Sequence, residues 1–225
     1  AACDKIINSQ KFGLIRGANI NPPLYEYNEN WFNTLYYTGN SNEGIFELQF
    51  DPQRLNPYFT LFSASLSNRR WTAAADIMDR VFTVDFTNDQ NYDIRADGGS
   101  VRAATSTVWK YIGATTTTQR TADQSYAHWF FYRYADILLL KAEALNEIGQ
   151  GQAALDLVYT IRSRANALLD TDLAPAPGDK NLIQDFILLE RSRELCFEGK
   201  RWFDVLRNAK RNNYQRLSIL LNMVA

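Results

Sequence analysis

Two carboxylates four residues apart, Glu190 and Glu194, are the first candidates for chemistry in this chain. On a helix that spacing stacks them one turn apart, roughly 6 Å between backbones, so an acid/nucleophile pair of the glycosidase kind has to be weighed. Their surroundings argue against it. Ile183 and Ile187 begin an apolar stripe that Glu190 and Glu194 continue, so both side chains point inward. An unpaired buried charge costs several kcal/mol, roughly, and Arg133, Arg162, Arg164, Arg191 and Arg193 are the available counter-ions. We therefore read Glu190, Glu194, Arg133, Arg162, Arg164 and Arg191 as a structural ion-pair network and assign no catalytic residue.

Other chemistries have little material. His128 is the single histidine, so a histidine-based metal site or a Ser-His triad lacks its parts, and the ring reads as a packing or capping residue. Cys3 and Cys196 have no metal-type spacing and are too few for a disulfide framework. Gly98-Gly99 is a turn, and no Gly-rich phosphate loop exists. Neither a cofactor nor a metal is expected.

Carbohydrate binding asks for flat aromatic faces against the C–H side of a pyranose, with amide and guanidinium groups for its hydroxyls. Trp71 follows Asn68, Arg69 and Arg70, with Tyr58 and Phe59 just upstream; this is the best local cluster, and Trp71, Tyr58, Phe59, Asn68 and Arg70 are the candidate ligand residues. Trp31, Tyr36, Tyr37, Tyr92 and Trp109 are second choices, while Trp129 and Trp202 are assigned to the core. Of 30 aromatic residues 24 precede position 135, so a sugar-facing surface belongs to that half.

The elements that must hold these groups are clearest after residue 132. A helix from Arg133 carries its stripe through Ile137, Leu140, Ala144 and Ile148 to Gly149, and a second runs from Ala154 through Ile161 to Leu168. The short link forces them antiparallel, and small Ala142, Ala144 and Ala154 suit the close approach of a tetratricopeptide-type hairpin. After Pro175-Ala176-Pro177-Gly178 a third helix opens with an Asn181-x-x-Gln184 capping signal, and a fourth spans Arg201 to Arg207.

Upstream, residues 43–51 alternate Phe46, Leu48 and Phe50 against Glu47 and Gln49, which predicts a strand with the apolar set buried. Val108 to Ile112 predicts another strand, Thr72 to Arg80 a short helix capped by Thr72, and Thr115 to Thr118 a solvated loop. Residues 1–127 are thus loop-rich with short strands, and 128–225 helical.

Arg133-Tyr134-Ala135-Asp136 with Lys141-Ala142-Glu143-Ala144-Leu145-Asn146, then Ile161-Arg162-Ser163-Arg164-Ala165, Glu190-Arg191-Ser192-Arg193-Glu194-Leu195, and Phe197-Glu198-Gly199-Lys200-Arg201-Trp202-Phe203-Asp204 follow one another in an order that resembles the SusD/RagB family. Asp93-Ile94-Arg95 resembles a shorter motif of the same family. The resemblance implies a mainly α fold of tetratricopeptide-like hairpins packed with long loops and a few short strands. It also implies a non-catalytic lipoprotein on the extracellular face of the outer membrane. Such a protein binds a glycan or other nutrient and covers a SusC-like TonB-dependent transporter. It further implies that these 225 residues are one SusD-like domain, the central-to-C-terminal portion of a longer chain whose lipid anchor lies outside this sequence. Accordingly Asp4 to Leu14 reads as the end of a helix and its exit rather than as a lipid-bearing Cys3.

Composition narrows the rest. With 46% hydrophobic residues the chain can bury a sizeable core, and a formal net charge of −1 supplies no basic face for nucleic acid or anionic lipid. No stretch approaches the roughly 20 apolar residues of a membrane span. A helical-repeat adaptor for protein partners is the first rival reading and a glycoside hydrolase the second. Stacking and hydrogen bonds to a neutral sugar predict weak, nearly salt-independent binding.

Overall fold

The computed structural model describes residues 1–15, 31–65, 67, 69–82, 93–167 and 174–224. Asn68, Tyr92 and Leu168 lie outside the described residues.

Three helices form the larger apolar core. α4 (Tyr134–Glu147) and α5 (Gly151–Arg164) are the antiparallel hairpin, and α6 (Lys180–Glu194) packs across both. Their shared interior holds Ala135, Leu138, Leu139 and Ala142 of α4, Ala154, Leu155, Val158 and Ile161 of α5, and Ile183, Phe186 and Ile187 of α6. Gly149 takes φ +80° at the turn, a left-handed conformation that glycine adopts without a Cβ penalty. The hairpin stripe is narrower than expected: Ala144 faces solvent and Ile148 is 69% exposed. α6 begins earlier than the Asn181 signal predicts, because the Asp179 side chain accepts from Leu182 N at 3.0 Å and caps the helix instead. α1 (Ala2–Asn8) rests on α4 through Ile7 and an Asp4–Lys141 ion pair of 2.8 Å.

The loop-rich half has its own core of Trp31, Phe32, Leu35, Tyr36, Ile94, Tyr111 and Phe130. Short helices α2 (Tyr58–Phe62) and α3 (Ile77–Arg80) edge it, together with a hairpin of β2 (Val101–Arg102) and β3 (Thr107–Val108). Two expectations shrink here. The strand from Val108 ends at once, since Trp109 turns the chain and its carbonyl accepts from Ile112 and Gly113; the helix from Thr72 is confined to Ile77–Arg80.

β1 (Gly44–Leu48) pairs antiparallel with β4 (Trp129–Arg133), a strand that the reading of residues 128–225 as helical did not foresee. The alternation in β1 is present with the opposite polarity. Phe46 and Leu48 are 57% and 47% exposed, whereas the Glu47 carboxylate turns inward and meets His128 Nδ1 at 2.9 Å. Phe46 stacks outside on Phe131, with centroids 5.0 Å apart. The inner face is taken by Phe130 and by the charged cluster behind Glu43 and Arg133, which leaves the apolar side of β1 to solvent.

After α6 the chain turns through Phe197 at φ +62° and Gly199 at φ +73° into α7 (Arg201–Lys210), and α8 (Leu217–Val224) lies against α7. Val205 is buried. Trp202, assigned to the core, is instead 44% exposed, because the buried face of α7 is Asp204, Val205, Asn208 and Ala209. Among the described residues no helix is long and apolar enough to cross a membrane.

Candidate functional site

Two features stand out: a buried ionic framework at the junction of the halves, and an exposed tryptophan held at the end of a run of rings.

The framework centres on α6. Glu190 takes Arg95 Nη1 at 2.6 Å and Arg162 Nη1 at 3.0 Å, while Glu194 takes Arg133 Nη1 at 2.5 Å, Arg95 Nη1 at 3.0 Å, and Arg164. Glu43 bridges Arg133 and Arg164 at 2.6 and 3.0 Å, and Glu198 meets Arg133 Nε at 2.9 Å and Lys110 Nζ at 2.7 Å. Asp93 holds Arg95 from the far side at 2.7 Å. All four glutamates have buried carboxylates, and for Glu190, Glu194 and Glu198 burial alone pushes toward the neutral form. The guanidinium groups outweigh it. Glu190 is drawn down to about 2 by Arg95, Arg162 and Arg193, and Glu194 falls well below the ordinary range beside Arg164, Arg133 and Arg95. A general acid needs its pKa raised, so this environment is the opposite of a glycosidase donor's.

Arg191 does not join this set. It points to the other side of α6, where Asp136, Asp204 and Glu143 lie at 2.7, 2.8 and 3.4 Å, and Lys200, Arg207 and Arg211 complete a second network. The charged motifs therefore split by face. Arg133, Glu194 and Glu198 belong to one network, and Asp136, Arg191 and Asp204 to the other; on α6 the single step from Glu190 to Arg191, about 100°, crosses between them. Sequence reading missed Glu43, Arg95, Lys110 and Glu198 as members; the Asp93-Ile94-Arg95 motif and the Phe197-Glu198-Gly199-Lys200 run were the signals for two of them.

From the framework a run of aromatic rings leads to the surface. Tyr111 OH donates to Phe197 O at 3.0 Å, and its ring stacks on Trp129 at 5.1 Å and meets Tyr58 at 4.7 Å. Tyr58 stacks on Phe62 at 5.6 Å, and Phe62 backs Trp71 at 5.8 Å. Trp71 is 59% exposed, and both Arg70 N and Trp71 N donate to Leu61 O at 3.1 Å, which fixes the segment beneath α2. Of the candidate ligand residues, Trp71 and Arg70 are exposed, Tyr58 and Phe59 are half-buried, and Tyr58 serves as backing for the platform. The second choices Trp31, Tyr36 and Trp109 are core residues, and Tyr37 lies under the Arg120 guanidinium at 4.6 Å. Two open clefts of about 590 and 570 Å³ flank the start of α7. Among the described residues no cluster of His, Cys, Asp or Glu could hold a metal ion.

The family model described as the SusD family matches residues 32–220. The chain belongs to the SusD family. Two curated relatives from Formosa agariphila are SusD-like protein P38, 48% identical over 83 residues, and SusD-like protein P2, 44% identical over 80. These matches take in 35% and 33% of this chain and 16% of each relative. Among solved structures, a SusD superfamily protein from Parabacteroides distasonis aligns over 91% of this chain at 19% identity with a TM-score of 0.62. A SusD-like carbohydrate binding protein from Bacteroides vulgatus aligns over 92% at 16% identity with a TM-score of 0.59. The chain spans 45% and 40% of those two structures, less than half of either. The fold is thus the mainly α, tetratricopeptide-like SusD architecture.

Proposed function

We propose that this chain provides part of a non-catalytic glycan-binding protein that captures oligosaccharide at the cell surface and passes it to a SusC-like TonB-dependent transporter. A lipid anchor would hold the protein on the extracellular face of the outer membrane. Family membership supports the class, and the observation that carries the binding reading is Trp71: a large ring 59% exposed, backed by Phe62 and fixed by the Leu61 carbonyl. An apolar ring left in water without a partner gains most from a flat, apolar sugar face. The buried carboxylates support the absence of hydrolysis, since Glu190 and Glu194 are fully enclosed and held ionised by arginines.

Calorimetry with a panel of oligosaccharides on the wild type and on Trp71→Ala tests the reading. Binding of a glycan that the variant loses, with unchanged thermal unfolding, is the expected result. Tight binding of a partner protein with no sugar affinity would favour an adaptor, and release of reducing sugar that is lost in Glu190→Gln would favour a hydrolase.

A further inference from the structure

Acidic residues occupy 25 of the 225 positions, yet residues 52–75 and 98–122, whose loops meet beside Trp71, contain none. Asp97 at the edge of one accepts from Ala103 N at 2.8 Å, and Asp51 at the edge of the other accepts from Arg54 N at 2.8 Å. The same two segments carry Arg54, Arg69, Arg70, Arg102, Lys110 and Arg120. They touch where Ala73 N donates to Ser106 O at 2.9 Å and Arg69 Nη1 donates to Thr105 O and Thr107 Oγ1 at 3.1 and 3.3 Å.

Three of these cations are committed elsewhere. Lys110 is buried on Glu198, Arg120 donates to the carbonyls of Gly113 and Tyr36, and Arg102 lies 3.5 Å from Asp97 and over Trp109. Arg70 is different, and so in part is Arg69, which gives only Nη1 to the Thr105 and Thr107 oxygens. Among the described residues neither pairs with a carboxylate, although most arginines of this molecule do. Arg70 is exposed, and the backbones of both lie within two residues of Trp71, about 7 Å at roughly 3.8 Å per step.

We propose that the glycan taken by the Trp71 surface is anionic, and that Arg69 and Arg70 read its carboxylate or sulfate-ester groups while a sugar ring stacks on the indole. The inference rests on the glycan-binding reading. A guanidinium presents only donors, in a fork that matches a planar carboxylate or a sulfate. Sugar hydroxyls ask for acceptors as well as donors, and no carboxylate of either segment can supply one. Hydroxyls such as that of Thr72 both donate and accept, but the exposed Arg70 fork only donates and so suits oxygens that only accept. It also replaces the expectation of a neutral, salt-independent ligand with one whose affinity falls as salt screens the arginines.

The test is calorimetry of the protein with matched oligosaccharides on one backbone: a neutral parent, a uronic-acid form and an O-sulfated form, each at low and high salt. The proteins compared are wild type, Arg70→Gln, Arg69→Gln/Arg70→Gln and Trp71→Ala, each checked by thermal unfolding. An anionic form should bind at least about ten-fold more tightly than the neutral parent at low salt. The double variant should lose that gain and its salt dependence, and Arg70→Gln alone should lose part of it. Whether the uronate or the sulfated form carries the gain identifies the group. Equal affinity for neutral and charged forms would overturn the inference and leave the glycan reading standing. So would a gain that survives in the double variant, or an equal gain with a non-sugar polyanion such as polyaspartate. Absence of binding to every glycan, the neutral parent included, would overturn both.

Discussion

Arg133 grips Glu194 twice: Nη1 meets its carboxylate at 2.5 Å, and Nη2 donates to its main-chain carbonyl at 2.5 Å. Glu194 is the last residue of α6, so that carbonyl is one of those a helix end leaves without an internal partner, and Lys110 Nζ shares it at 3.1 Å. Two cations at a helix C-terminus also complement its dipole. One residue of β4 thereby terminates α6, neutralises its acid and, through Glu43 and Glu198, ties both halves together.

Arg133→Met should therefore cost about 3–5 kcal/mol, since it leaves buried carboxylates short of a counter-ion. Arg133→Lys should recover only a fraction, because one ammonium cannot span Glu43, Glu194 and Glu198 as the fork does. Equilibrium urea unfolding measures both. A lysine variant as stable as wild type would mean that charge alone, not the fork, is what matters.

The same carboxylates set the acid limit. Glu190 sits at about 2 in the folded protein, against roughly 4.3 when unfolded, so the unfolded chain binds more protons as pH falls. The sign follows: its contribution is complete above roughly pH 4.3 and is lost progressively toward about 2, on the order of 3 kcal/mol for this one buried group. Glu194 and Glu198, also lowered, act in the same direction. Urea midpoints should stay nearly flat from about pH 8 to 5 and fall steeply below about 4. Stability that held at acid pH would contradict the ionised network.

How far the sequence spoke depends on which residue is asked. Glu190 and Glu194 could be placed inside because they extend the stripe of Ile183 and Ile187, a local period. Arg95 could not, since it reaches them across 95 and 99 residues of chain. What brings it there is a tight turn: a Cβ on Gly99 would lie 2.4 Å from Ile94 O. Arg191 was placed with the wrong acids because a helix repeat gives the face of a residue only to within a turn, and one step from Glu190 crosses to the other network. For Trp71 the residue types were legible, but its exposure depends on Phe62 and Leu61 beneath it.

The inverted β1 strand supplies another check. Period two gives which residues share a face, and not which face is covered. Phe46→Ser should cost no more than about 1 kcal/mol despite the large ring, because it lies outside and loses only its stacking on Phe131. Glu47→Ala should cost about 1–3 kcal/mol, since His128 Nδ1 and Asn40 N lose their acceptor. Urea unfolding of the two variants ranks them, and the reverse order would restore the buried-Phe46 strand.

At Gly151 helix propensity and packing oppose each other. Alanine is favoured over glycine in a helix by about 1 kcal/mol, yet a Cβ there would stand 2.0 Å from Pro177 O and 2.7 Å from Ile183 Cδ1. Backbone cannot yield cheaply, so Gly151→Ala should destabilise, and by more than Gly149→Ala, where φ +80° costs about 1 kcal/mol with no atom in the way. Thermal unfolding of the pair decides it, and a stabilised Gly151→Ala would mean that the loop at Pro177 gives way.

Phe62 separates support from contact at the platform. Phe62→Ala removes a side chain only 6% exposed and should cost about 3–5 kcal/mol, whereas Trp71→Ala removes a ring mostly in water and should cost well under half of that. Both should weaken glycan binding by roughly ten-fold or more, about 1.4 kcal/mol, measured where each variant is still folded: one loses the stacking face, the other its backing. Affinity unchanged in Phe62→Ala would show that the indole needs no support from the ring beneath it, and that the run of rings from Trp129 to Trp71 serves packing alone.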